Sequence, residues 1–256
     1  MSKYKFFVIH NNQPNRKKVI SSELKKNKIP LNDIEYITFP NKDELTYKIK
    51  KKVVQKIRSR HNFSFPAVEG RLKDGWISVT YKHYLALEKI VKNKYPLSVI
   101  MEDNIGKFNS NIIDTLDTCI TQLPNDWDIL FDSTNTHSYE SMKEEKIFSD
   151  KIVYQKKLGY SFNQEGKIIA GGGVKAAQFY LLNFKSAKTL YDNYLPFNHA
   201  PDVWMSELFR YLSFKSFWIE PSITVTEKNH ISSTNFNKKF TFERIKSKLT
   251  NYILGI

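Results

Sequence analysis

Short apolar runs alternate with amphipathic stretches along this chain, and the alternation predicts an α/β fold. Phe6 to Ile9 and Leu97 to Met101 are apolar runs bounded by polar residues, which is typical of buried strands, and Asp126 to Phe131 is the next predicted strand. From Leu45 to Ile57, apolar residues recur every four positions and predict a helix with one apolar stripe. We expect a central, mostly parallel sheet flanked by helices.

Further elements follow from local signals. Ser78 to Thr80 are residue types that cap a helix, and Asn109 to Leu123 has the apolar spacing of another helix. The region from Thr134 to Gly166 is polar and irregular, and we interpret it as a variable loop. Residues 237–256 mix basic and apolar residues and predict a basic amphipathic helix. We therefore expect a single domain over residues 1–236 with this helix appended.

The predicted strand from Leu97 ends abruptly in Glu102, Asp103 and Asn104. Ligands of α/β sheets bind beyond the carboxyl ends of the strands, where these three side chains would lie. Hard oxygen ligands at adjacent or alternate positions suit Mn²⁺ or Mg²⁺ that carries the phosphates of a substrate. The alternative interpretation is an acid pair at a strand end that faces water.

Composition narrows the class of protein. Of the 256 residues, 41% are hydrophobic and 14% are aromatic, which is too many for a disordered chain. The apolar runs are shorter than the ~20 residues that span a bilayer, and the apolar segment near the N-terminus is too short for a signal peptide. Cys119 is the only cysteine, so there is no intrachain disulfide framework or thiolate metal site. We expect a soluble, cytoplasmic protein.

The net charge of +14, from 40 basic and 26 acidic residues, indicates a field that attracts phosphates, anionic lipids or nucleic acid. No recognised nucleic-acid-binding motif is present and the basic residues are spread along the chain, so nucleic acid is not the expected partner. A polyanion-binding protein stays as an alternative. The basic face of the helix from Leu45 and the basic tail would suit peripheral contact with an anionic membrane surface, although a solvated face is the plainer interpretation.

Four segments follow one another in the order of a known family. Gly75 to Leu87 contains a glycine and a helix that carries His83, and the strand from Leu97 ends in Glu102 to Asn104. Trp127 to Leu130 and Pro201 to Met205 come next. Together these segments resemble glycosyltransferase family 25, which includes bacterial lipooligosaccharide galactosyltransferases and collagen-modifying hexosyltransferases. The family has Leu-Ser-His, Glu-Asp-Asp, Trp-Asp-Ile-Leu and Asp-x-x-Met/Leu at the corresponding places.

The resemblance implies the Rossmann-like fold termed GT-A, with a nucleotide-sugar half at about 1–132 and an acceptor half at about 133–236. It implies transfer of a hexose, galactose or glucose, from a UDP-sugar to a hydroxyl of a glycan, glycolipid or hydroxylysine-type acceptor. It also implies Mn²⁺ (or Mg²⁺) as the cofactor. The metal ligands that it implies are Glu102, Asp103 and Asn104.

The resemblance also assigns a set of donor-binding residues. They are Ile9, Arg16, His83, Glu102, Asp103 and Gly173. Three of them have a plainer interpretation. Arg16 could lie on a solvated helix face, His83 could be hydrogen-bonded to a neighbouring loop, and Gly173 could belong to a flexible turn.

Asp202 is the candidate catalytic base, because a carboxylate can take the proton of an attacking acceptor hydroxyl. The competing interpretation is a helix N-cap, which aspartate favours. Asn104 departs from the aspartate usual in the family and can ligate a metal only through a neutral amide oxygen. A catalytically degenerate relative that binds sugar nucleotides or glycans is therefore an alternative.

Overall fold

A computed structural model of the chain describes residues 3–54, 72–132, 146–147, 152–154, 160–162, 168–171, 177–219 and 221–226. The strands are β1 (Lys5–Ile9), β2 (Ile34–Ile37), β3 (Leu97–Glu102), β4 (Ile105–Phe108), β5 (Ile129–Asp132), β6 (Lys146–Ile147), β7 (Ile152–Tyr154), β8 (Tyr160–Phe162), β9 (Ile168–Gly171), β10 (Phe179–Asn183), β11 (Ser216–Ile219) and β12 (Thr224–Thr226). The helices are α1 (Pro14–Lys26), α2 (Tyr47–Val53), α3 (Asp74–Asn93), α4 (Ile112–Gln122), α5 (Phe184–Tyr194) and α6 (Pro201–Tyr211).

Eight of the described strands form one sheet in the order β2-β1-β3-β10-β5-β11-β7-β6. The pairs β1/β2, β1/β3 and β5/β11 are parallel, whereas the other four pairs are antiparallel. The expected α/β class is confirmed, but the sheet is mixed rather than mostly parallel. The difference arises chiefly from β10, which enters between β3 and β5 in the opposite direction. An apolar run such as Phe179 to Leu182 predicts burial on both faces and carries no signal for strand direction.

The sheet separates two hydrophobic cores, because successive strand residues point to opposite faces. Phe7, Ile100 and Tyr180 face the core that α3, α5 and α6 cover. Val99 and Leu181 face the core that α1 and α4 cover. Helices therefore flank the sheet on both sides, as expected. Cys119 on α4 is fully buried in the second core and is not in a disulfide bond.

Helix α3 begins at Asp74, before the segment Ser78 to Thr80 that was predicted to cap it. The hydroxyl groups of Ser78 and Thr80 form hydrogen bonds to distant loops instead of capping the helix. Ser78 Oγ donates to the carbonyl of Pro40 at 2.7 Å, and Thr80 Oγ1 donates to the carbonyl of His199 at 3.3 Å. Ser78 and Thr80 therefore lie inside the helix because their hydroxyl groups bind the loops that pack against it.

Several sequence predictions lie outside the described residues. They concern Gly173, the tail 237–256 and most of the region from Thr134 to Gly166. The boundary at residue 236 stays a prediction. Within the described part of the chain, no helix combines the length and hydrophobicity needed to cross a bilayer.

Candidate active site

The carboxyl ends of β2, β1 and β3 lie side by side, and the candidate residues follow the middle and last of these strands. In the register of the sheet, Ile9 at the end of β1 pairs with both Ile37 and Glu102. The carbonyl of Ile9 accepts the amide hydrogen of Asp103 at 3.1 Å, while its side chain is buried in a core. Ile9 therefore supports the turn after β3. Donor binding by Ile9 stays a prediction.

Asp103 is the centre of a buried ion-pair network. His10 Nδ1 lies 2.7 Å from Oδ2 of Asp103, and Arg16 Nη1 donates to Oδ1 at 2.9 Å. All three side chains are almost completely buried. Burial raises the pKa of Asp103, but the hydrogen bond from His10 and the charge of Arg16 outweigh it and hold that pKa below the ordinary value.

The network shows what two of the predicted site residues, Arg16 and Asp103, contact. Arg16 lies at the strand ends, near the predicted site, and is not on a solvated helix face. Both oxygens of Asp103 already accept hydrogen bonds, which favours an ion-pairing role over the predicted role as a metal ligand. His10 was not among the predicted site residues, although it occupies the position directly after β1.

Lys82 is a second residue near Asp103 that was not among the predicted site residues. Its ammonium group is fully buried and donates to the carbonyl of His10 at 2.8 Å and to Oδ1 of Asn41 at 2.7 Å. Burial lowers the pKa of Lys82 to about 8, against the charges of Asp103 and Glu44, which raise it. Lys82 thus joins α3 to the segments that follow β1 and β2, and it adds positive charge beside Asp103.

Glu102 lies on the opposite side of the chain from Asp103 and is partly exposed. Its Oε1 lies 3.5 Å from Nε2 of His83, and its Oε2 accepts a 3.4 Å hydrogen bond from Nδ2 of Asn104. His83 is fully buried, and its Nδ1 lies 2.8 Å from the hydroxyl of Tyr180. The predicted donor-site histidine therefore lies next to the predicted metal ligand Glu102.

The side chains of Glu102 and Asn104 fit a divalent cation in part. Oδ1 of Asn104 is buried and has no hydrogen-bond partner among the described residues, although a buried carbonyl oxygen normally has one. Together with Glu102 it offers two oxygen ligands, and Mg²⁺-type sites are completed by water and substrate phosphates. Across the described ranges, no group of three or more histidine, cysteine, aspartate or glutamate side chains is arranged to hold a metal.

Asp202 is the second residue of α6, which begins at Pro201. It is therefore inside the first helical turn and is not the N-cap residue. Its Oδ1 accepts the amide hydrogen of Val203 at 2.9 Å, and burial raises the pKa of its carboxyl group. Burial chiefly, and then the charges of Glu102 and Asp202, raise the pKa of Tyr194, so this phenol lies within electrostatic reach of both carboxylates.

Asp132, at the end of β5, has a structural role. Its carboxylate accepts hydrogen bonds from the amides of Ile223 and Thr224 at 2.9 and 2.8 Å and from Ser222 Oγ at 2.9 Å. Thr224 Oγ1 also donates to it. These bonds fix the turn before β12.

Comparison with known families identifies the class of protein. The model of glycosyltransferase family 25, described as LPS biosynthesis protein, matches residues 4–205. The chain belongs to glycosyltransferase family 25. The family match includes the network around Asp103, the side chains of Glu102 and Asn104, and Asp202. The expected family is confirmed, and with it a glycosyltransferase activity.

Solved structures with a similar overall shape are distant. The 4-diphosphocytidyl-2C-methyl-D-erythritol synthase of Anaerococcus prevotii DSM 20548 is 11% identical, with 96% of this chain and 100% of that chain covered and a TM-score of 0.41. Mouse xyloside xylosyltransferase 1 is 11% identical, with 83% of each chain covered and a TM-score of 0.38. Likenesses at this level carry no functional conclusion. No curated protein matches the chain significantly.

Proposed function

We propose that this family 25 protein transfers a hexose, galactose or glucose, from a UDP-sugar to a hydroxyl of a glycan, glycolipid or hydroxylysine-type acceptor. One observation carries the proposal: Arg16 and His10 contact the buried carboxylate of Asp103, and the ammonium group of Lys82 binds the carbonyl of His10. Beside them, Oδ1 of Asn104 has no hydrogen-bond partner among the described residues, and the carboxylate of Glu102 is partly exposed. Surplus positive charge beside hard oxygen ligands suits a nucleoside diphosphate with a divalent cation.

In this proposal the donor binds across the ends of β1 and β3. Arg16 and His10 hold Asp103, which fixes the turn that presents Glu102 and Asn104. Those two residues would hold Mn²⁺ or Mg²⁺. When bound, such an ion neutralises the diphosphate and stabilises it as a leaving group. The fixed charges of Arg16 and Lys82 contribute a further electrostatic attraction.

The acceptor half of the proposal rests on Asp202. Its carboxylate is partly buried at the start of α6, and burial raises its pKa, which favours uptake of a proton. As the acceptor oxygen forms its bond to the anomeric carbon, Asp202 takes the hydroxyl proton, and the bond from the anomeric carbon to the diphosphate breaks. The hydrogen bond from the Val203 amide holds the carboxylate in place.

A thermal-shift panel with UDP-glucose, UDP-galactose, UDP-N-acetylglucosamine and GDP-mannose, each with and without Mn²⁺, tests the donor. A ligand that binds the native state raises its melting temperature by mass action. We expect a Mn²⁺-dependent shift with UDP-glucose or UDP-galactose. Glu102→Gln should remove the Mn²⁺-dependent part, whereas Glu88→Gln on the exposed face of α3 should leave it unchanged. The absence of any shift with all four donors would contradict the proposal.

A catalytically degenerate relative is the second candidate, and the side chains after β3 favour it. Asn104 is neutral and Asp103 is already paired, so only Glu102 brings a free negative charge to the proposed cation. This candidate predicts that UDP and UDP-sugars bind with Mn²⁺ but that neither transfer nor slow hydrolysis of the UDP-sugar releases UDP. Measured UDP release above that of Glu102→Gln would exclude it.

A further inference from the structure

A buried tyrosine stands behind the proposed donor site. Tyr180 lies on β10, opposite Ile100 of β3, and directly paired residues of an antiparallel ladder project to the same face. Glu102 is two residues beyond Ile100 and therefore projects to that face as well. Helix α3 covers this face and brings His83 between the two side chains. The antiparallel entry of β10 is what places Tyr180 next to His83.

The distances define a chain of three side chains. The Tyr180 hydroxyl lies 2.8 Å from Nδ1 of His83, and Nε2 of His83 lies 3.5 Å from Oε1 of Glu102. The tyrosine and histidine rings are also stacked, with 5.8 Å between centroids and 18° between planes. Tyr180 and His83 are both buried, whereas 22% of the Glu102 side chain is exposed. The chain therefore runs from the core to the edge of the site.

Hydrogen-bond chemistry fixes the direction of this chain. A neutral imidazole donates through one nitrogen and accepts through the other. If Nδ1 carried the hydrogen, the lone pair of Nε2 would face the negative Oε1 of Glu102, which is repulsive. The reverse arrangement satisfies every contact: the phenol donates to Nδ1, and Nε2–H points at the carboxylate.

We propose that Tyr180 is a positioning residue of the donor site, whose hydroxyl sets His83 in the Nε2–H tautomer so that His83 orients Glu102. This inference rests on the proposed function, because it assigns to Glu102 the task of holding the cation of a Mn²⁺–UDP complex. Groups that are hydrogen-bonded to a metal ligand typically change metal affinity about 10–100-fold when they are removed, and here that group is His83, which Tyr180 orients.

Calorimetric titration of UDP, with and without Mn²⁺, into wild-type protein and Tyr180→Phe tests the role in binding. The variant removes one oxygen atom. We expect it to weaken the Mn²⁺-dependent binding at least about ten-fold and to leave binding of UDP alone unchanged. Tyr4→Phe is the matched control: Tyr4 is equally buried, and its hydroxyl donates to Asp117 at 2.5 Å, remote from the candidate residues. Tyr4→Phe should melt earlier but bind Mn²⁺–UDP like the wild type.

Nitrogen-15 NMR of the histidine rings tests the tautomer independently of any ligand, with the His83 signals assigned by their loss in His83→Gln. A hydrogen on Nε2 supports the proposal, whereas a hydrogen on Nδ1 or on both nitrogens overturns it. Equal Mn²⁺–UDP affinity of Tyr180→Phe and the wild type also overturns it. If the wild type itself does not bind Mn²⁺–UDP, the proposed function fails, and the ring hydrogen alone decides whether Tyr180 sets the tautomer.

Discussion

Asp103 shows how much of the candidate site depends on a single buried carboxylate. Its two oxygens hold His10 and Arg16, and only about a twentieth of its side chain is exposed. A buried ion pair contributes modestly compared with an apolar pair, but removal of one partner leaves an uncompensated charge and is strongly destabilising. Substitution of Asp103 is therefore expected to damage the fold as well as the site.

Asp103→Asn should lower the free energy of unfolding by about 3 kcal/mol, because the buried guanidinium of Arg16 then loses the counter-charge that Asp103 supplies. Urea unfolding measures this, and the double variant with Arg16→Met should lose less than the sum of the single variants. Asp192→Asn is the control, since Asp192 pairs with Lys188 in an exposed i,i+4 ion pair, which contributes little. Additive losses in the double variant would contradict the coupling.

The ion pair of Asp103 and Arg16 also predicts that the free energy of unfolding depends on pH. Because the folded-state pKa of Asp103 lies below the ordinary value, the ionised form is favoured in the native state. Its contribution to stability is therefore present above about pH 4 and is lost as the pH falls through the folded-state pKa. The difference in unfolding free energy between wild type and Asp103→Asn should shrink below pH 4. A difference that stays constant from pH 7 to pH 3 would show that the carboxylate charge is irrelevant.

Substitution of Tyr194 is predicted to increase stability, whereas substitution of Asp103 is predicted to decrease it. Its side chain is fully buried, and its hydroxyl oxygen has no hydrogen-bond partner among the described residues. A buried hydroxyl without a partner costs about 1–3 kcal/mol. Tyr194→Phe should therefore raise the melting temperature, as differential scanning calorimetry would measure. Tyr4→Phe, which removes a bonded hydroxyl, should lower it, and a lower melting temperature for both variants would contradict the argument.

At the scale of elements, the polar buried stripe of α3 explains where sequence reasoning succeeded and failed. The spacing from Ile90 back through Ala86 places Lys82 and His83 on the inner face, so periodicity alone could have identified Lys82. His83 was identified only through the family pattern, and Lys82 was not predicted at all. Asp103 was found as a candidate, but its partners His10 and Arg16 lie 93 and 87 residues away, and such contacts leave no local signal.

Among the strands, too, some features could be predicted from the sequence and others could not. The apolar runs of β1, β3 and β5 were recognised, because burial on both faces selects continuous hydrophobic residues. The direction of β10 was not, because a strand that runs backwards has the same composition as one that runs forwards. The position of Tyr180, and hence its contact with His83, depends on that direction and was inaccessible from the sequence.

Asp132 leads to a prediction about the short sheet of β4 and β12, which continues the chain directly after Asn104. Asp132→Ala removes the acceptor that fixes Ser222 to Thr224. Hydrogen exchange should therefore quicken in β12 and in its partner β4, while β1 stays protected. Asp126→Ala, at an exposed position before the same strand, should change neither. Uniform quickening across β1, β4 and β12 would indicate global destabilisation instead.

At the scale of the whole molecule, the net charge of +14 predicts attraction to anionic surfaces. On α2, Lys48, Lys51 and Lys52 are exposed, and Tyr47 is 73% exposed beside them. An aromatic side chain among lysines suits the interface of an anionic membrane, where a glycolipid acceptor would lie. Val53 of the same helix is buried and the partly buried Ile49 packs against the core, which holds the helix on the domain.

Sedimentation with phosphatidylglycerol vesicles tests this surface. We expect binding that is absent with phosphatidylcholine and that drops several-fold when Lys48, Lys51 and Lys52 are changed to glutamate. The control changes Lys18, Lys25 and Lys28, which are exposed on and after α1, by the same total charge. Equal losses in both triple variants would indicate diffuse attraction to polyanions, and tight binding to DNA with a steep salt dependence would favour the polyanion-binding alternative.

The position of β10 has a consequence for how the chain acquires its structure. β3 and β5 are not neighbours; the strand that joins them is made 47 residues after Asp132, counting from 132 to 179. During synthesis, residues 1–132 would emerge with the edges of β3 and β5 that face β10 still unpaired, and an unpaired edge is a template for pairing with another chain. We therefore expect that residues 1–132 are not a separable folding unit. We expect a fragment that ends at residue 132 to aggregate, and one that extends through β11 to fold, because β10 and β11 then pair with both edges of β5.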